Sequence, residues 1–166
     1  MESIFEETIK EGIMKIKVTR NINAPKEALW EYLADYSNIQ RFHPMLKDGD
    51  GSHFVDANKS CEIGGTRQCN MKDGNYVKER IIEWEEGSHY TVDIYETSMP
   101  LISAQASLGI IATGKNSSRV YMNMVVQPKL KILQPLLYLM NKYYALPSIL
   151  KGLDDLYNKE KTLSLA

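Results

Sequence analysis

From Ile132 to Tyr157 the chain carries an apolar run that is too long for a strand. Asn141, Lys142, Lys151, Asp154 and Asp155 interrupt it too often for a membrane span. Apolar side chains recur at helical spacing at Leu133, Leu136, Leu137, Met140, Tyr143, Tyr144, Leu146, Leu150, Leu153 and Tyr157, which predicts one long helix over residues 132–159. Pro135 suits the first turn, where its missing N–H would have no partner, with Gln134 as an imperfect cap before it. Pro147 falls inside the run, where it removes a donor and crowds the carbonyl four residues back, so the helix is expected to kink rather than end. Such a helix spans roughly 35–40 Å. So wide an apolar stripe has to be covered by something large.

The rest of the chain supplies a candidate cover. Residues 1–12 read as a polar leader, with at most a helical turn before Gly12. Ile13 to Ile22 then alternates, with Ile16, Val18, Arg20 and Ile22 on one face and Lys15, Lys17, Thr19 and Asn21 on the other, as an amphipathic strand does. Asn23-Ala24-Pro25 ends the strand and opens a helix carrying Leu29, Trp30, Tyr32 and Leu33. A second short helix is expected from Ser37 to Arg41, stopped by His43-Pro44. Six strand signals follow, at 52–56, 65–71, 75–84, 90–96, 101–112 and 119–127, joined by turn-forming residues such as Asp73-Gly74 and Glu86-Gly87-Ser88. This predicts an α+β fold in which a curved antiparallel sheet of seven strands wraps the C-terminal helix, with two short helices after the first strand.

One hairpin register can be argued from charge. A two-residue Asp73-Gly74 turn would set Arg67 opposite Arg80, an unfavourable pairing of like charges. A three-residue loop, Lys72-Asp73-Gly74, with Gly74 left-handed, sets Arg67 opposite Glu79 instead. The second register places Arg67, Cys69, Met71, Val77, Glu79 and Ile81 on the inward face, so an arginine and a carboxylate are expected in the interior.

At 166 residues the chain is expected to be one domain, and its 43% hydrophobic and 25% charged residues are those of an ordinary globular protein. A net charge of −1 argues against an electrostatic nucleic-acid binder. Cys61 and Cys69 lack zinc-type spacing and read as reduced thiols. The acidic N-terminal stretch has no signal-like apolar core, so a cytoplasmic location is expected. His43, His53 and His89 make no metal-binding spacing, and no metal or other cofactor is expected.

The order of these pieces resembles the START-like helix-grip (SRPBCC) superfamily, which includes polyketide cyclase/dehydrase-like proteins, plant pathogenesis-related allergens and abscisic-acid receptors. The resemblance rests on Ile22-Asn23-Ala24-Pro25 leading to Leu29-Trp30, on Asp35-Tyr36, His43-Pro44 and Gly65-Thr66-Arg67, and on Asp73-Gly74 with Val77-Lys78-Glu79-Arg80, Pro128 and the Leu-rich last helix. It covers residues 13–157. It implies a cavity between sheet and helix for an apolar or lipid-like molecule. Met71-Lys72-Asp73-Gly74-Asn75 stands where the receptors carry their mobile gate, so a hormone-gated phosphatase partner is not supported. The allergens' glycine-rich loop is reduced to Ile63-Gly64-Gly65.

Candidate ligand contacts are Arg67, Glu79, His43, Cys69, Val77, Tyr90, Val92, Met140 and Tyr143. Glu79 with Arg67 is the pair that would serve acid–base chemistry, Glu79 as general base and Arg67 steadying an enolate oxygen, although a structural ion pair on the cavity floor explains the same residues more simply. His43 before Pro44 is more readily a turn residue than an acid or base. Tyr90, Val92 and Ile94 are expected to face inward, whereas either face of strand 119–127 could do so. Lys129, Lys131, Lys142 and Lys151 beside apolar residues suggest a membrane surface, but Asp154 and Asp155 share that helix and lysine stems lying over a soluble core fit as well. The sequence therefore favours a binder or carrier of a small apolar molecule over a cyclase or dehydratase acting on a polyketide-like carbonyl substrate. Neither the ligand nor the oligomeric state follows from it.

Overall fold

The computed structural model describes residues 8–56 and 61–164. The first part of the expected leader, residues 1–7, lies outside the described residues. Strand β1 (Thr8–Lys10) forms a hairpin with β2 (Ile13–Ile22), and α1 (Lys26–Ala34) and α2 (Ile39–Phe42) follow. Then come β3 (Ser52–Phe54), β4 (Thr66–Asn70), β5 (Tyr76–Glu85), β6 (His89–Thr97), β7 (Leu101–Gly114) and β8 (Ser117–Pro128). The chain closes with α3 (Gln134–Met140) and α4 (Leu146–Ser164), joined by a helical turn of wider bore at Asn141–Ala145.

The strands make one antiparallel sheet in the order β1-β2-β8-β7-β6-β5-β4-β3. The described residues form eight strands rather than seven, because Thr8–Lys10, expected in the leader, pairs with Lys15–Ile13 across the Glu11-Gly12 turn. On β2 the alternation is as expected, with Met14, Ile16, Val18 and Ile22 buried. On β8 the inward row is Val120, Met122, Met124 and Val126; Val120 and Val126 are buried and the two methionines pack at the edge of the core. The Arg67–Glu79 register is the one the charges require: Met71 N–H bonds the Asn75 carbonyl, and Gly74 takes a φ of +89° in the three-residue loop.

The C-terminal helix lies against β2, β8 and α2, and Asp154 reaches back to Arg20 of β2 at 2.8 Å. Ahead of Pro147 the helix widens. Leu146 donates to the Asn141 carbonyl, five residues back, so the turn holds one extra residue. The irregularity expected at Pro147 thus takes the form of a wide turn just before it, which adjusts the backbone where the ring would crowd the Tyr143 carbonyl.

That single residue resets the phase of the helix. Leu146, Ile149, Leu150 and Leu153 of α4 are buried. Traced back at 3.6 residues per turn, their row leads to Tyr143, Leu139, Leu136 and Ile132, yet these side chains are 72%, 52%, 57% and 87% exposed. The row turned toward the sheet is instead Gln134, Leu137, Tyr138 and Asn141.

Candidate functional site

Two features lie on the inner face of the sheet. The first is a buried polar network at β4 and β5. Glu79 Oε2 accepts from Arg67 Nε at 2.9 Å and stands 2.8 Å from Nη2, while the Tyr36 hydroxyl donates to the same oxygen at 3.3 Å. Arg67 Nη1 donates to the Tyr36 carbonyl, and its guanidinium lies 3.7 Å from the centre of the Tyr36 ring. The arginine side chain is 3% exposed and the glutamate 13%. Burial works to lower the Arg67 pKa, but the Glu79 carboxylate and the Tyr36 and Cys69 groups beside it outweigh burial and hold it well above the usual value. Burial also raises the Tyr36 phenol far above its ordinary value, which keeps it neutral and able to donate.

Aromatic rings fill the space around this pair. Tyr36 meets Tyr90 edge-on at 5.9 Å, Tyr90 stacks on Trp84 at 5.6 Å, and Trp84 meets Trp30 at 5.5 Å. Both indole N–H groups donate to Glu86, Trp30 to Oε1 at 2.7 Å and Trp84 to Oε2 at 2.9 Å, which ties α1 to the β5–β6 turn. Cys69, Val77, Tyr90 and Val92 are buried in this core. His43 caps the end of α2, its Nδ1 accepting the Met45 N–H at 3.3 Å, which leaves the proton on Nε2. Burial, with the Arg67 charge adding to it, lowers the His43 pKa to about 4.

The second feature is a pocket of about 260 Å³ between α3 and strands β2, β7 and β8. Its lining is apolar apart from Asn75 and Asn141. Met14, Met99 and Met124 contribute unbranched, adaptable side chains, one from each of three chain segments. Leu101, Leu133 and Leu137 close it from the strand and helix sides. Asn141 is held in place by its own Nδ2, which donates to the Leu137 carbonyl at 2.8 Å.

None of the nine ligand contacts expected from sequence lines this pocket. Arg67, Glu79, His43, Cys69, Val77, Tyr90 and Val92 are brought together, but in and around the aromatic-filled core. Met140 and Tyr143 lie on the outer side of the helix and are largely exposed: the wide turn takes Tyr143 off the α4 row and turns Leu137 and Asn141 inward, and Met140 lies off both rows. Leu137 and Asn141 were missed for the same reason, since their inward direction depends on a helix phase that sequence periodicity misassigns, while the other lining residues come mainly from strands and their connections. Among the described residues no group of His, Cys, Asp and Glu could hold a metal ion, and no helix is long and apolar enough to cross a membrane.

A curved antiparallel sheet closed over a C-terminal helix, with two short helices after its first long strand, is the START-like helix-grip architecture. The chain belongs to the polyketide cyclase/dehydrase and lipid transport family, whose model matches residues 14–156. Among solved structures it is similar to the protein XoxI from Bacillus cereus, with TM-score 0.73 and 15% identity over 89% of this chain and 97% of that one. A START superfamily protein from Mycobacterium smegmatis matches with TM-score 0.73 and 13% identity over 87% and 97% of the two chains. Norcoclaurine synthase from Thalictrum flavum, in complex with dopamine and hydroxybenzaldehyde, matches with TM-score 0.67 and 14% identity over 89% and 87%. At these identities the likeness is one of fold. No curated protein matches the chain significantly.

Proposed function

We propose that this protein binds a small apolar molecule in the pocket under α3, as a carrier or sequestering protein. The observation that carries the reading is the lining: methionine, leucine, valine and proline side chains from the sheet and the helix, with two asparagine amides as the polar positions. Asn141, whose nitrogen is committed to the helix backbone, offers its carbonyl oxygen to a ligand hydroxyl or amine. The family and the fold fit ligand binding of this kind.

The cyclase or dehydratase reading, with Glu79 as base and Arg67 steadying an enolate, has less support. The Glu79 oxygen that would take a proton already accepts from Arg67 and Tyr36, and the aromatic rings occupy the space beside it. Titration with the fluorescent apolar probe N-phenylnaphthylamine separates the two. Saturable one-to-one binding, weakened about tenfold by filling the pocket with Leu101→Trp, is expected of the carrier. Binding unchanged in Leu101→Trp would remove the pocket from the function.

A further inference from the structure

The outer face of the C-terminal helix has the composition of an interface and no partner among the described residues. Leu136, Leu139, Met140, Tyr143 and Tyr144 on the helix, with Ile132 just before it, are all exposed. Scattered apolar residues on a surface mean little, but a continuous row of this length is a contact surface. Leu130 and Leu133 extend it to the pocket, since both are exposed and both line it.

Along the helix segment from Lys129 to Lys151 the charges are of one sign. No Asp or Glu occurs between Glu96 and Asp154, a stretch that carries Lys115, Arg119, Lys129, Lys131, Lys142 and Lys151. Lys129 and Lys131 are exposed beside Leu130 and Ile132, and the Lys131 stem lies over the Gly12 turn, next to Lys10. Glu11 lies in that turn, and the helix segment itself carries no carboxylate before Asp154. A two-fold contact between copies would bring Lys129 and Lys131 toward their own duplicates, with no carboxylate on the facing helix segment to meet them. An anionic bilayer meets every part of the pattern: apolar side chains enter the acyl boundary, the tyrosines sit at headgroup level, and the lysines meet lipid phosphates.

We infer that the face built from Ile132, Leu136, Leu139, Met140, Tyr143 and Tyr144 docks on an anionic lipid surface, with Lys129 and Lys131 on the phosphates and the pocket mouth at Leu130 and Leu133 turned to the membrane. Docking stands on the exposed face alone. That an apolar ligand passes between bilayer and pocket rests also on the ligand-binding reading above.

Flotation with vesicles of phosphatidylcholine alone, and of phosphatidylcholine with about one-third phosphatidylglycerol, tests docking without any pocket ligand. The wild-type chain is expected to float with the anionic vesicles and to be released by high salt. Its affinity should fall about tenfold or more in Lys129→Ala/Lys131→Ala and in Leu136→Ser/Tyr143→Ser. These positions are exposed, so both variants should keep the wild-type circular dichroism spectrum. Absence of flotation overturns docking, as does equal flotation with both vesicle types. A wild-type dimer in sedimentation, abolished by Leu136→Ser/Tyr143→Ser without any vesicle binding, would assign the face to self-association and overturn it too. Docking can fail while N-phenylnaphthylamine still binds the pocket, and the reverse result is equally readable.

Discussion

Gly152 of α4 lies so close to Phe42 of α2 that a Cβ at 152 would stand 1.9 Å from the Phe42 carbonyl oxygen. The contact is with backbone, which cannot swing aside as a side chain would. In a free helix glycine to alanine adds stability of about 1 kcal/mol. Here Gly152→Ala should destabilise by about 2–4 kcal/mol, since α4 must lift from α2. A higher urea midpoint for Gly152→Ala would show that the two helices have slack.

The Arg67–Glu79 pair makes a prediction about sign. Glu79→Gln leaves a buried guanidinium without its counter-charge and should cost about 3–5 kcal/mol. Replacing both, as Arg67→Met/Glu79→Leu, removes the stranded charge and should recover most of that loss. Urea denaturation of the two variants checks this. A double variant as weak as Glu79→Gln would mean that Tyr36 and its carbonyl depend on the arginine itself.

His43 sets an acid limit on the fold. Its pKa is 6.5 in the ordinary state and about 4 in the folded protein, so between those values the unfolded chain binds the extra proton. Stability from this residue is full above pH 6.5 and is lost as pH falls through about 4. The loss is at most about 3 kcal/mol, reduced by the ring's partial exposure. His43→Gln should flatten the stability profile between pH 7 and 4, followed by thermal melting. A profile of unchanged slope would assign the acid sensitivity elsewhere.

The two cysteines should differ in reactivity. Cys61 is exposed, while Cys69 is buried, and burial beside the Glu79 carboxylate pushes its thiol up to about 12. Iodoacetamide at pH 8 should label Cys61 in the native protein and Cys69 only after unfolding, as read by intact and peptide mass spectrometry. Prompt labelling of Cys69 under native conditions would mean that the β4–β5 region opens readily.

Much of the sheet was legible because each strand's reading had a local reason. Arg67 could not face Arg80 without penalty, and that alone selected the Glu79 register now seen. Strand β8 was undecidable alone, since Met122 and Met124 alternate with Tyr121 and Val125. Pairing settles it, because Ile16 and Met14 of the buried β2 row stand opposite Met124 and Val126. Strand β1 escaped notice because Thr8–Lys10 holds one apolar side chain, Ile9, too few to show a period. The pocket was illegible because α3 is apolar nearly all round. Leu133, Leu136, Leu137 and Met140 read as one stripe, but the wide turn at 141–145 sends Leu136 to solvent, Met140 faces outward in either phase, and Leu133 and Leu137 line the pocket.

The extra residue in that turn gives the helix a second reading frame. Because Ile132, Leu136, Leu139 and Tyr143 continue the α4 row at an unbroken helical period, tightening the wide turn to an ordinary one with every residue kept would rotate them onto the sheet, whereas removing one residue between 141 and 145 would leave Gln134, Leu137, Tyr138 and Asn141 facing inward. In the tightened helix Asn141 would leave the pocket and the outward apolar row would disappear from the surface, while the shortened chain would keep both. The tightened helix would differ in no residue, yet the pocket's polar position on the helix and the exposed face would both be gone, so the two features stand or fall on the width of a single turn.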